Sequence, residues 1–233
     1  MILEVRAVAP FYKNGFVVGC ERTREAVLID PGDEVDELLG AVRDLDVDVQ
    51  AVLLTHAHID HITGVAAAKD AFDVPVYLHR DDLFLYEMAV QQGAMFGFKV
   101  RQPPPVDEFY STEPFTFGDY TASVHHTPGH CPGGVCLAIG KTGQTGSGIG
   151  DQGSGIGDRG TGSHLFVGDT LFAGSIGRTD LPGGDYTVLM RSITEVLLPL
   201  GDAAIVHPGH GPDTTIGRER TTNPFVLEYL KSG

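Results

Sequence analysis

The chain has 233 residues, 42% of them hydrophobic and 20% charged, which is enough for a single domain over 1–233 with a substantial core and argues against disorder. Asp plus Glu number 31 against 16 Lys plus Arg, a formal net charge of -15, so no positive field exists to attract a nucleic-acid backbone. With 20 Asp against 5 Lys, the surface suits either a salt-rich cytoplasm or an ordinary acidic bacterial protein.

The first ten residues carry Glu4 and Arg6 inside an apolar run and lack the basic start and cleavage site of a secretory leader. No stretch reaches the roughly 18 uncharged apolar residues of a membrane span, so the expected location is cytoplasmic, with no membrane partner. Short apolar runs at 16–18, 26–29 and 51–54 predict strands. Between them, Val35, Leu38, Leu39, Val42 and Leu45 recur at separations of three and four, which predicts an amphipathic helix over 34–45. The same spacing predicts helices over 62–72, 81–90 and 186–198, and Pro103, Pro104 and Pro105 predict an extended connector.

From 141 to 163 the composition changes. Residues 146–152 repeat as 153–159 with only the last position altered, Gln152 against Arg159. So glycine-rich an insertion buries too little apolar area to offset its ordering, which predicts a flexible surface loop. It lacks the Gly-Lys-Ser/Thr of a nucleotide loop, and its Asp151 and Asp158 offer too few oxygens for calcium. Cys20, Cys131 and Cys136 form no Cys-x-x-Cys pair, so neither a disulfide framework nor a zinc knuckle is expected, and Cys131 and Cys136 read as packed residues.

Four strand-like apolar runs, those at 26–29 and 51–54 and two more ending at Val167 and Val206, run into abrupt polar turns at Asp30-Pro31-Gly32, Thr55-His56, Gly168-Asp169 and His207-Pro208-Gly209-His210. In layered α/β architectures chemistry collects at such strand ends, because a rigid sheet holds loop side chains at one rim. The densest cluster is His56-Ala57-His58-Ile59-Asp60-His61. Alternate residues of an extended chain project to one side, so His56 and His58 can grip one cation, while Asp60 and His61, where a helix begins, can face a second. Four residues cannot fill two coordination spheres. His130, Asp169 and His210, each in a polar turn, are the further candidates.

These motifs, in this order along nearly the whole chain, resemble the metallo-β-lactamase superfamily, and within it the short glyoxalase II-like hydrolases. The resemblance runs through Leu28 to Gly32, His-x-His-x-Asp-His at 56–61, Pro128-Gly129-His130, Gly168 to Phe172, Gly177 to Asp180 and Pro208 to Pro212. It implies an α+β fold, a four-layer αββα sandwich with the metals at one edge. It assigns His56, His58 and His130 to one metal, and Asp60, His61 and His210 to a second. Asp169 bridges them, and Asp60 and Asp169 are the catalytic carboxylates. Asp30 corresponds to a strand-end aspartate that orients the ligand loop from behind, with a plain turn residue as the alternative. The implied cofactors are two divalent ions, zinc first, with iron or manganese also compatible with His and Asp ligands. His79, His125, His126, His164 and His207 match no ligand position.

The implied reaction is hydrolysis of a hydroxyacyl thioester such as S-lactoylglutathione, by attack of a metal-bridging hydroxide on the acyl carbon. A thiolate leaves without a strong acid, which agrees with the lack of a His or Glu set aside to protonate it. The implied partner is a small thiol-derived molecule, with Arg178 placed to meet its anionic part or, alternatively, to brace the loop at Asp180. Full-length glyoxalase II carries a C-terminal helical glutathione-binding region that the roughly 23 residues after His210 are not expected to supply, and Pro212 stands where that enzyme has a tyrosine. Three alternatives stay open: a mononuclear iron persulfide dioxygenase, which resembles the sequence at Gly177 to Asp180, a lactone or ester hydrolase, and a non-catalytic metal-binding module.

Overall fold

The computed structural model describes residues 1–142 and 163–232, so the glycine-rich repeat at 146–159 lies outside the described residues. The chain divides into two compact units, residues 1–111 with 117–119, and 112–116 with the described residues from 120 onward.

The first unit is built on a six-stranded sheet of β1 (Ile2–Arg6), β2 (Gly15–Gly19), β3 (Glu25–Ile29), β4 (Asp48–Leu53), β5 (Val76–Leu78) and β6 (Glu108–Phe109), in that order across the sheet. β1, β2 and β3 pair antiparallel, whereas β3, β4, β5 and β6 run parallel. Parallel neighbours need a crossover, and the chain supplies α1 (Val35–Leu45) between β3 and β4, then α2 (Ile59–Ile62) and α3 (Val65–Phe72) between β4 and β5. Leu38, Ala41 and Val42 are the buried stripe of α1, as its spacing predicts. Because β3, β4 and β5 are parallel and in register, the residues after Ile29, Leu53 and Leu78 emerge at one edge.

Two predicted helices are broken. The one expected over 62–72 is α2 and α3, because the Gly64 amide donates to Pro31 O at 3.0 Å instead of continuing the helical ladder. A side chain at Gly64 would also strike Gly32 O and Val35. The one expected over 81–90 is a 3-10 turn at Arg80–Asp82 followed by α4 (Leu83–Glu87) and α5 (Ala89–Met95).

The second unit carries β7 (Phe115–Phe117), β8 (Tyr120–His126), β9 (Val135–Lys141), β10 (His164–Gly168), the hairpin β11 (Leu171–Phe172) and β12 (Ser175–Ile176), β13 (Ile205–Pro208) and β14 (Thr214–Thr215). Among the described residues its main sheet has the order β14-β13-β10-β9-β8-β7. β9 is antiparallel to both β8 and β10, and β10 is parallel to β13, so β8, β10 and β13 all run the same way and end at one edge. One face of this sheet, through Cys136, Ala138, Leu165, Val167 and Val206, forms the core with Leu189, Met190, Ile193 and Leu197. The last four come from α6 (Tyr186–Arg191) and its wider-wound continuation Ser192–Leu197. The helices α7 (Ile216–Thr222) and α8 (Pro224–Ser232) add Ile216 and Val226. Cys136 is fully buried there, and burial pushes its thiol far above its usual pKa, as suits a packed residue. Among the described residues, no helix is long and apolar enough to cross a membrane.

Candidate metal centre

In the first unit the turn after β4 carries His56, His58, Asp60 and His61. His56, His58 and His61 are buried, with the His56 ring 4.9 Å from His58 and 4.0 Å from His61. Asp30, at the end of β3, sits beneath them with φ 49°, a left-handed conformation that Asp tolerates better than bulkier residues. Its Oδ1 accepts the Thr55 amide at 2.6 Å, and its Oδ2 accepts the Thr55 hydroxyl at 2.5 Å and His61 Nδ1 at 2.9 Å.

That network fixes two tautomers. The Thr55 proton goes to the carboxylate, so in its 3.1 Å contact with Thr55 Oγ1 the His56 Nδ1–H is the donor. His61 Nδ1–H donates to Asp30. Both rings therefore present an Nε2 lone pair, the form in which imidazole binds a metal. Asp30, His56 and His61 place potential ligand atoms within 4.8 Å of one another, and the Asp30 carboxylate accepts three protein donors there. These contacts brace the turn through Thr55 and His61. His61 Nε2 lies 3.7 Å from Asp60 Oδ2, too long for a good hydrogen bond and close to the roughly 3.4 Å edge expected of two ligands on one tetrahedral ion. Asp60 lies in the first turn of α2, and His58 is the residue that caps it, without a side-chain cap.

Three residues without a recognisable sequence signal also hold this turn. Buried Asp82 accepts the Ala57 amide at 3.0 Å, Gln92 donates to Ala57 O at 3.1 Å, and Tyr110 donates to Leu54 O at 3.1 Å. Burial pushes the Tyr110 phenol well above its usual pKa, so it remains a donor. Each is distant in sequence from the motif, so only the fold could reveal it.

In the second unit the candidates come from three strand ends. His130 follows β8, Asp169 follows β10 and His210 follows β13. His130 Nδ1–H donates to Arg178 O at 2.8 Å, again leaving Nε2 as the ligand atom. Asp169 Oδ2 stands 3.7 Å from His130 Nε2 and 3.6 Å from His210 Nε2, two further ligand-like spacings that converge on one carboxylate oxygen. A side chain at Gly177 would collide with Asp169 O, and one at Gly129, where φ is 126°, with the Leu189 backbone. The 127–130 turn is tied to α6 by Asp185 N to Gly129 O at 2.8 Å and Ser192 Oγ to Pro128 O at 2.6 Å.

Arg178 spends its guanidinium on Asp180, in a bidentate pair with both contacts at 2.7 Å, and this pairing holds the exposed Asp180 carboxyl down at about 2. Of the histidines left without a ligand role, His164 Nδ1 and His207 Nε2 meet at 2.8 Å.

The chemistry of these donors, imidazole nitrogens beside carboxylate oxygens at ligand-like spacing, fits divalent metal ions in each unit. The family model of the metallo-beta-lactamase superfamily matches residues 8–159 and 144–210. The hydroxyacylglutathione hydrolase GloC of Haemophilus influenzae is 33% identical over 97% of this chain and 98% of its own. Among solved structures, the BLEG-1 B3 metallo-beta-lactamase aligns with a TM-score of 0.81 and 37% identity, covering 97% of this chain and 99% of that one. TTHA1623 in a di-iron-bound form aligns with a TM-score of 0.78 and 38% identity, covering 95% and 99%. The chain therefore has the α+β metallo-β-lactamase fold, which implies divalent metal binding, and it belongs to the metallo-beta-lactamase superfamily of metallo-hydrolases.

Proposed function

We propose that this metallo-hydrolase is a two-metal thioester hydrolase acting on a hydroxyacyl thioester such as S-lactoylglutathione, with the two units working as one domain. The reading assigns His56, His58 and His130 to one ion, Asp60, His61 and His210 to the other, and Asp169 to both. The observation that carries it is the shared tautomer of His56, His61 and His130, each with Nδ1–H committed to an oxygen of the protein. The likeness to GloC supports the substrate class.

Bound divalent ions supply Lewis acidity and lower the pKa of a water toward about 7. The chain's own residues do the rest. Asp30 keeps His56 and His61 in the ligating tautomer, and Asp60 and Asp169 offset part of the cationic charge while leaving the site attractive to an electron-rich carbonyl. Arg178, exposed at its loop, meets the anionic part of the thiol-derived substrate by exchanging its Asp180 partner. No protonating side chain is required, because a thiolate is a good leaving group. Zinc is the first metal in this reading, and the di-iron form of TTHA1623 makes iron the main competitor.

The likeness to BLEG-1 supports one competing reading, hydrolysis of a β-lactam amide. The test is a turnover panel on metal-loaded protein with S-lactoylglutathione, a simple ester, a lactone, a chromogenic β-lactam, and glutathione persulfide under an oxygen electrode. Thioester hydrolysis at the highest kcat/KM without oxygen uptake is expected. Oxygen uptake with persulfide, or a preference for the β-lactam, the lactone or the ester, overturns it, and silence across the panel points to a binding module.

A further inference from the structure

The turn that carries Asp30 rests on a buried ion pair. Lys13 and Glu34 are each 1% exposed, and Lys13 Nζ lies 2.6 Å from Glu34 Oε1. Lys13 Nζ also donates to the main-chain oxygen of Asp30, and the same Glu34 oxygen accepts the Gly32 amide at 2.8 Å. Among the described residues, the side-chain hydrogen bonds the pair makes outside itself end on the turn between Asp30 and Gly32. The packing is tight enough to transmit position. A side chain at Gly32 would strike the main-chain oxygen of Asp60 and approach Lys13 Cε at 2.8 Å, and one at Gly15 would strike the Glu34 carboxylate.

Burying two charges is costly, and well-packed apolar residues often serve stability as well or better. A pair whose external bonds converge on one turn has another use. We infer that Lys13 and Glu34 are positioning residues for the metal centre: they lock the left-handed Asp30 so that its carboxylate keeps His56 and His61 in ligating form. The connection runs from Lys13 to the Asp30 carbonyl, through the Asp30 carboxylate to Thr55 and His61, and from Thr55 to His56. Neither residue belongs to a candidate metal-ligand group among the described residues. The inference rests on the metallo-hydrolase reading.

The test uses the full chain and Co2+ as probe, read by chelator competition and by the visible spectrum of the bound ion, with a thermal melt of the metal-free protein alongside. Lys13→Met combined with Glu34→Gln removes both charges and keeps an acceptor for Gly32. It is expected to melt cooperatively yet bind Co2+ about 10–100-fold more weakly, the range for losing a group that orients a metal ligand, with an altered spectrum. Parent-like affinity and spectrum with only a lowered melt overturns the inference. Should the double variant not fold, Glu34→Gln alone decides by the same readout: it keeps the pair's hydrogen-bonding atoms and removes one charge. Weaker binding with an altered spectrum supports the inference, and unchanged binding, or failure of both variants to fold, overturns it. A parent that takes up no Co2+ overturns the metallo-hydrolase reading itself, a result separable from parent uptake matched by the variants.

Discussion

The candidate ligands of the two units are held by different means. In the first unit four candidate ligands lie within six consecutive residues on one turn, and distant side chains, Asp30, Asp82, Gln92 and Tyr110, hold that turn from around it. In the second unit three candidate ligands come from three strand ends, and the holding falls more to main-chain groups and glycines, with Arg178 O on His130 and Gly177 and Gly129 giving the backbone room to approach, and Ser192 Oγ on Pro128 O beside them. A one-turn site depends on its buried acceptors, whereas a three-strand site depends on the sheet and on close backbone contact.

Removing a ligand is the harshest way to break this comparison. His61→Ala and His130→Ala are each expected to lower kcat/KM by more than about 100-fold, beyond the range typical of outer-sphere changes, with folding retained by circular dichroism. A variant retaining parent kinetics would remove its histidine from the proposed metal ligands.

Asp30→Asn sharpens the contrast. The amide keeps one acceptor and turns a donor toward His61 or Thr55, so metal affinity should fall by about 10–100-fold. Chelator competition measures it. The second unit has no equivalent buried carboxylate in the described network of His130, whose partner is a main-chain oxygen. Parent-like affinity in Asp30→Asn would show that the turn does not depend on its acceptor.

Gly177→Ala tests the backbone side. The added methyl must displace Asp169 O, and such overpacking costs about 1–3 kcal/mol by denaturant unfolding. Asp169 would shift with it, so activity should fall together with stability. Full activity in a destabilised variant would separate the close approach from the site.

The smallest effect concerns histidines without a ligand role. Burial foremost, then neighbouring His207, holds His164 at about 4. In the unfolded chain it titrates near 6.5, so its neutral form contributes stability that is complete above about pH 6.5 and is lost as the pH falls toward 4. His164→Gln should flatten that part of the stability profile by urea unfolding. An unchanged slope would assign the acid sensitivity elsewhere.

The same contrast explains what could be read from the sequence. His56 to His61 are legible because alternation along one extended segment is a local pattern, and the helix at 34–45 because its stripe is uninterrupted. His130, Asp169 and His210 each look like ordinary turn residues alone and gain meaning only through their order along the chain. Asp82, Gln92 and Lys13 gave no signal, since what marks them is a hydrogen bond to a turn far away in sequence, and Glu34 gave none because its partner Lys13 is equally far. The break at Gly64 escaped the periodicity for the same reason: its amide answers to Pro31, across the fold.

The central proposal is that the chain works with two divalent ions. Metal content per chain by inductively coupled plasma mass spectrometry, on protein loaded and then freed of loose ions, tests it most directly. The account predicts two divalent ions per chain in the parent. One ion per chain, or none, would contradict it.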